Sequence, residues 1–122
     1  MTDPKTAPNR GPDERIICAL DLPSVAEASR LAGQVQDAVG FYKIGLQLFA
    51  AGGMDLARDL KADGRKVFLD WKLHDIGATV EKAAANLAEA GCDLLTVHAR
   101  PQVMQAAARG VKGSGLKVLG VT

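Results

Sequence analysis

Apolar residues along this chain follow two alternating patterns. Short, nearly continuous apolar runs occupy residues 15–21 (RIICALD), 41–45 (FYKIG), 66–72 (KVFLDWK), 93–99 (DLLTVHA) and 116–122 (LKVLGVT). Runs of this length, rich in Val, Ile, Leu and Phe, predict strands buried on both faces. Between them the apolar positions recur at helical spacing. Val25, Ala28, Leu31, Ala32, Val35 and Val39 keep one face apolar, and Ser24 with Glu27 three residues later forms a capping box that starts this helix. Gly40 is expected as its C′ residue. Further helices are predicted over 54–64, with Gly64 as the stop, over 78–91 and over 101–113, where Pro101 suits a first turn.

Strand starts recur about every 25 residues, each separated from the next by a helix. This alternation predicts an α/β fold with a parallel sheet, because each crossover must return the chain to the same end. Two architectures satisfy it, a doubly wound sheet and part of a (β/α)8 TIM barrel. The position of a dinucleotide fingerprint after the first strand reads LDLPS, with no glycine triplet. The 122 residues hold four complete strand–helix units and part of a fifth, whereas a whole barrel takes about 250. An open half would expose strand edges and one sheet face. Residues 15–122 are therefore expected to be the amino-terminal half of a larger domain, after a flexible tail over 1–14 that holds three of the five prolines.

Composition narrows the function classes. Apolar residues make up 48 % and charged ones 24 %, which suits a globular protein, and the net charge is only +1. No basic stripe, zinc spacing or long apolar span is present, so neither nucleic acid nor a membrane is expected as a partner. Cys18 and Cys92, far apart in apolar surroundings, are read as reduced core thiols of a cytoplasmic protein.

Charge placement then points to a site. Asp21 ends the first strand, Lys43 lies in the second, Asp70 and Lys72 end the third, Asp75 follows in the next turn, and His98 ends the fourth. In parallel α/β folds these strand ends share one mouth. Asp70 and Lys72, two apart, share a strand face, while Trp71 points to the helices as core. Each group has a structural alternative: a turn for Asp21, a buried ion pair for Asp70 and Lys72, an N-cap for Asp75, packing for His74 and His98. The KGSG stretch at 112–115 precedes a strand, so it lies at the wrong end of the sheet for a phosphate loop. Together, Lys43, Asp70, Lys72 and Asp75 alternate in sign, and flanking carboxylates keep Lys72 protonated where water is excluded. A rigidly held ammonium serves as a proton donor or an anion stabiliser.

The stretch DWKLHDIGATV resembles the D-x-K-x-x-D-I-x-x-T-V signature of the orotidine 5′-phosphate decarboxylase family, and ALD and YKIGLQLF match that family's pattern at the first two strands. The resemblance runs from about Arg15 to Thr122. It implies a homodimer of (β/α)8 barrels that converts orotidine 5′-monophosphate to UMP without metal or organic cofactor. It implies that Lys72 protonates C6, that Asp70 sits by the substrate carboxylate and with Lys43 holds Lys72, and that Asp21 and Lys43 hold ribose hydroxyls. Asp75 and Thr79 would reach into the neighbouring subunit's site, and Ile76 belongs to the same substrate-binding segment. The family's pyrimidine contacts follow the fifth strand and its phosphate-gripping loops the seventh and eighth, so this chain alone is expected to be nearly inactive. Two other readings compete: a Mg2+-dependent sugar-phosphate decarboxylase or synthase of the same suprafamily, and a non-catalytic half-barrel.

Overall fold

The computed structural model describes residues 11–122, so most of the predicted tail lies outside the described residues. Five strands, β1 (Asp13–Ala19), β2 (Val39–Gly45), β3 (Lys66–Leu73), β4 (Leu94–His98) and β5 (Lys117–Val121), form one sheet in the order β1-β2-β3-β4-β5. Every neighbouring pair is parallel. The helices between them are α1 (Val25–Val35), α2 (Leu46–Ala50), α3 (Gly53–Ala62), α4 (Gly77–Glu89) and α5 (Pro101–Gly110).

The strand order decides between the two architectures. A doubly wound sheet reverses its order at a switch point and carries helices on both faces. Here the order never reverses, so right-handed crossovers stack all the helices on one side. The sheet curls into a half-barrel with its other face left concave. The core lies between the strands' outward residues and the helices: Tyr42, Ile44, Val67, Leu69, Leu95 and Val97 are all fully or almost fully buried. On the concave side Ile17 and Leu119 are more than 40 % exposed.

Local chemistry explains several element ends. The Ser24 hydroxyl accepts the Glu27 N–H at 3.2 Å, which is the expected N-cap, and donates to the Glu27 carboxylate at 3.3 Å in place of the reciprocal bond of a full capping box. Gly64 takes a positive φ of 81°, and the Arg65 N–H returns to the Leu60 carbonyl at 2.9 Å, a left-handed helix stop. Pro101 begins α5 as expected.

Three expectations are corrected. Gly40 is not the stop of α1, which ends at Val35, and Val39 is not on its face; both begin β2. A Cβ on Gly40 would lie 3.1 Å from Glu14 Cγ and 3.2 Å from the Pro12 carbonyl oxygen, so close approach to the start of β1 explains the glycine. Asp13 and Glu14, assigned to the tail, are already strand, because the Asp13 N–H pairs with the Ala38 carbonyl at 3.0 Å. The short helix α2 was not foreseen. Five residues are too few to show a helical period, and Phe49 on it packs against Trp71 with ring centroids 4.3 Å apart.

Helices α4 and α5 pack closely. A Cβ on Gly110 would collide with the Glu81 carbonyl oxygen, and it would lie 3.1 Å from the Ala84 side chain. Arg109 also reaches from α5 to the Glu81 carboxylate at 2.6 Å. Gly110→Ala is therefore expected to lower stability by about 1–3 kcal/mol through overpacking against backbone, although alanine is ordinarily the better helix former. Urea unfolding of the two proteins measures this, and an unchanged or raised midpoint would contradict it.

Candidate active site

Parallel strands bring their C-terminal ends together, and the structure gathers four charged groups there. Lys43 Nζ, from β2, lies 3.7 Å from the Asp21 carboxylate and 3.5 Å from Asp70 Oδ2. Lys72 Nζ donates to Asp70 Oδ1 at 2.9 Å. Asp70 thus stands between two ammonium groups, with only 17 % of its side chain exposed, against 24 % for Lys43 and 46 % for Lys72. Trp71 points the other way and is buried on the helix side.

A break in the β3–β4 ladder shapes this pair. Leu69 pairs with Leu95 and Leu73 with Val97, so Asp70, Trp71 and Lys72 stand opposite the single residue Thr96. Lys72 is left with a φ of +50°, the left-handed region, alone among the described non-glycine residues. Its N–H donates to Thr96 Oγ1 at 3.0 Å, and the Thr96 hydroxyl donates to Asp70 Oδ1 at 2.9 Å. Thr96 is 6 % exposed. Sequence reasoning passed over it; the one available signal was a lone hydroxyl inside the apolar run LLTVH, two residues before His98.

Magnitudes argue that the cluster is not kept for stability. An ion pair to a half-exposed ammonium contributes about 1 kcal/mol or less. Holding a lysine in the left-handed region costs about 1–2 kcal/mol. The two roughly cancel, which is the balance expected where strain serves a site. Burial pushes the Asp70 carboxyl up, but hydrogen bonds from Lys72 and Thr96, and the charges of Lys72 and Lys43, outweigh it and leave the group below its ordinary value. Asp70 is therefore held ionised.

The other predicted residues sit apart from this core. The Asp75 carboxylate accepts the N–H of Ile76 at 2.7 Å, and among the described residues no ion pair joins it to Lys72. The four-member network expected from the sequence is, within one chain, Asp21, Lys43, Asp70 and Lys72. Nor does Asp75 cap α4: the N-cap is Ile76, with no side-chain cap bond. Ile76 is 72 % exposed, and Thr79 is exposed on the first turn of α4. His74 and His98 stack on each other with ring centroids 4.5 Å apart.

The thiols lie elsewhere. Cys92 is buried and Cys18 half-buried, both unpaired, and burial raises both, Cys92 to about 11, so neither is a thiolate at neutral pH. Among the described residues no helix is long and apolar enough to cross a membrane. Ser114 in the KGSG stretch uses its hydroxyl on the Val111 carbonyl and the Leu116 N–H, closing the turn before β5.

Comparison with known proteins identifies the family. Residues 14–122 match the model of the orotidine 5'-phosphate decarboxylase / HUMPS family. An orotidine 5'-phosphate decarboxylase of Caulobacter vibrioides (strain NA1000 / CB15N) is 62 % identical over 110 residues, covering 90 % of this chain and 47 % of the relative. One from Afipia carboxidovorans is 55 % identical over 111 residues, with 91 % and 47 % covered. The crystal structure of orotidine 5'-phosphate decarboxylase from Lactobacillus acidophilus superposes with a TM-score of 0.79 at 34 % identity, covering 90 % of this chain and 53 % of that one. The chain spans about half the length of the curated relatives it matches.

Proposed function

The chain belongs to the orotidine 5'-phosphate decarboxylase / HUMPS family, and we propose that it supplies the charge-bearing half of an orotidine 5′-monophosphate decarboxylase barrel acting in pyrimidine biosynthesis in the cytoplasm. The observation that carries this reading is the Lys72 ammonium, held 2.9 Å from Asp70 on a strained strand end. In the proposed step the C6–carboxylate bond breaks and CO2 leaves. The electron pair stays on C6 and takes a proton from the Lys72 ammonium, which gives UMP. The ammonium stabilises the developing carbanion before it gives up its proton, and a preorganised charge of this kind costs no reorganisation during the reaction. Asp70 holds the Lys72 ammonium in place through that 2.9 Å contact. Lys43 holds Asp70 from the other side and, with Asp21, is positioned for ribose hydroxyls.

Asp75, Ile76 and Thr79 are exposed beside the mouth, which suits residues that serve a second subunit's site in a homodimer. The chemistry proposed needs no metal or organic cofactor. A Mg2+ at Asp70, the competing reading, would have to displace protein donors, since Oδ1 is used by Lys72 and Thr96 and Oδ2 faces Lys43.

Joining this chain to the carboxy-terminal half of the Caulobacter relative tests the reading. The chimera is expected to decarboxylate orotidine 5′-monophosphate with or without EDTA, while residues 1–122 alone show little or no turnover. Binding energy from remote phosphate contacts is needed to lower the barrier at C6, and the family resemblance implies those contacts in the loops after strands seven and eight. A folded chimera without activity would refute the proposal, and near-normal turnover by the chain alone would refute the division of labour.

A further inference from the structure

We propose that Thr96 is a positioning residue for the reaction proposed above, on which this inference rests: its hydroxyl pins the β3 irregularity so that Asp70 and Lys72 meet in a single geometry. In a regular parallel ladder successive residues turn their N–H groups to opposite neighbours; Val67 faces β4, so Lys72 would face β2. Three residues of β3 stand against one of β4 here, the irregularity turns the Lys72 N–H toward β4, and Thr96 Oγ1 takes it. The same oxygen then has its own proton free for Asp70 Oδ1. One buried hydroxyl thereby fixes both the backbone of the proton donor and the carboxylate that neutralises it. A hydroxyl is suited to both tasks, because it accepts and donates at one atom. Valine in its place would have the same shape and neither bond.

Asp70 is faced by Lys43 from β2, with Asp21 beyond it, by Thr96 from β4, and by Lys72 on its own strand. His98 lies two residues past Thr96 on β4 and is stacked on His74. The Thr96 bond favours the ionised carboxylate, so its loss moves the Asp70 titration to higher pH.

Two measurements test this. In the active chimera, Thr96→Val is expected to lower kcat by about 10–100-fold with KM changed less than about threefold, and to move the acid limb of the kcat–pH profile upward, as loss of an orienting partner does. Thr96→Ser, which keeps the hydroxyl, should stay within about threefold of the parent. In the 122-residue chain itself, the NMR-detected carboxyl titration of Asp70 should shift upward in Thr96→Val and not in Thr96→Ser. A Thr96→Val protein with parental kcat, or one whose Asp70 titrates unchanged, overturns the inference. If Thr96→Val does not fold, Thr96→Ser decides: a large rate loss with the hydroxyl retained would assign the role to packing and overturn it as well. A folded parent chimera without activity would instead defeat the proposed function, and the Asp70 titration would still judge Thr96.

Discussion

Lys72→Ala, made in the chimera with the Caulobacter half, is expected to reduce decarboxylation by at least about 10³-fold while leaving UMP binding largely intact. General-acid transfer contributes about 10²–10⁴-fold, and stabilisation of a developing anion by a preorganised charge contributes about as much again. Both depend on the same ammonium. The side chain is 46 % exposed and, among the described residues, belongs to one ion pair, so its removal takes little from the fold. The backbone offers an independent check. At a φ of +50° glycine is relaxed and alanine is not. Lys72→Gly should therefore be equally inactive yet more stable than Lys72→Ala by about 1 kcal/mol, the reverse of the usual order within strands. A Lys72→Ala protein that keeps most of its rate would dispose of the role given to Lys72. A less stable glycine variant would show that the strain is not there.

Asp70→Asn is the second large effect. Asparagine keeps the shape and removes the charge that lies between Lys43 and Lys72. The rate should fall by about 10²–10³-fold, because Lys72 then loses the charged partner that fixes its position. Stability at pH 7 should fall by about 1–3 kcal/mol, the scale of hydrogen bonds to a charged group. Its pH dependence identifies the cause. The folded Asp70 carboxyl lies below its ordinary 3.8, so its contribution is fully present above that pH. The contribution is lost as pH falls through the lower folded value. Urea unfolding should show a constant gap between parent and variant from pH 7 down to the ordinary carboxylate range, and a closing gap below it. A gap that persists undiminished into strong acid would mean that shape rather than charge separates the two proteins.

Much of this was readable along the chain. The five strands and the main helices follow from the period of apolar residues, since burial of one face or two is a property of neighbouring positions. The Ser24–Glu27 cap and the Gly64 stop involve residues at most five apart, so a linear reading finds them. Asp21, Lys43, Asp70 and Lys72 stood out as charges at the ends of buried strands, and the D-x-K-x-x-D spacing tied them to a family. Even the choice between barrel and doubly wound sheet leaned on that family likeness, because local periods do not report strand order.

What escaped the linear reading depends on partners far away in sequence. Gly40 looked like a helix stop until the start of β1 was seen lying against it. Asp75 had the right sign and spacing to extend the charge network, yet the turn into α4 gives its carboxylate to the adjacent Ile76 N–H and leaves it outside. The local sequence of β3 holds no sign of its irregularity, which exists only as a mismatch with β4. Thr96 gains its importance from that mismatch, 24 residues from Lys72 and 26 from Asp70. Residue types and their periods specified which groups reach the mouth of the sheet. Strand pairing specified how they meet there, because a hydrogen bond between two strands is a fact about both.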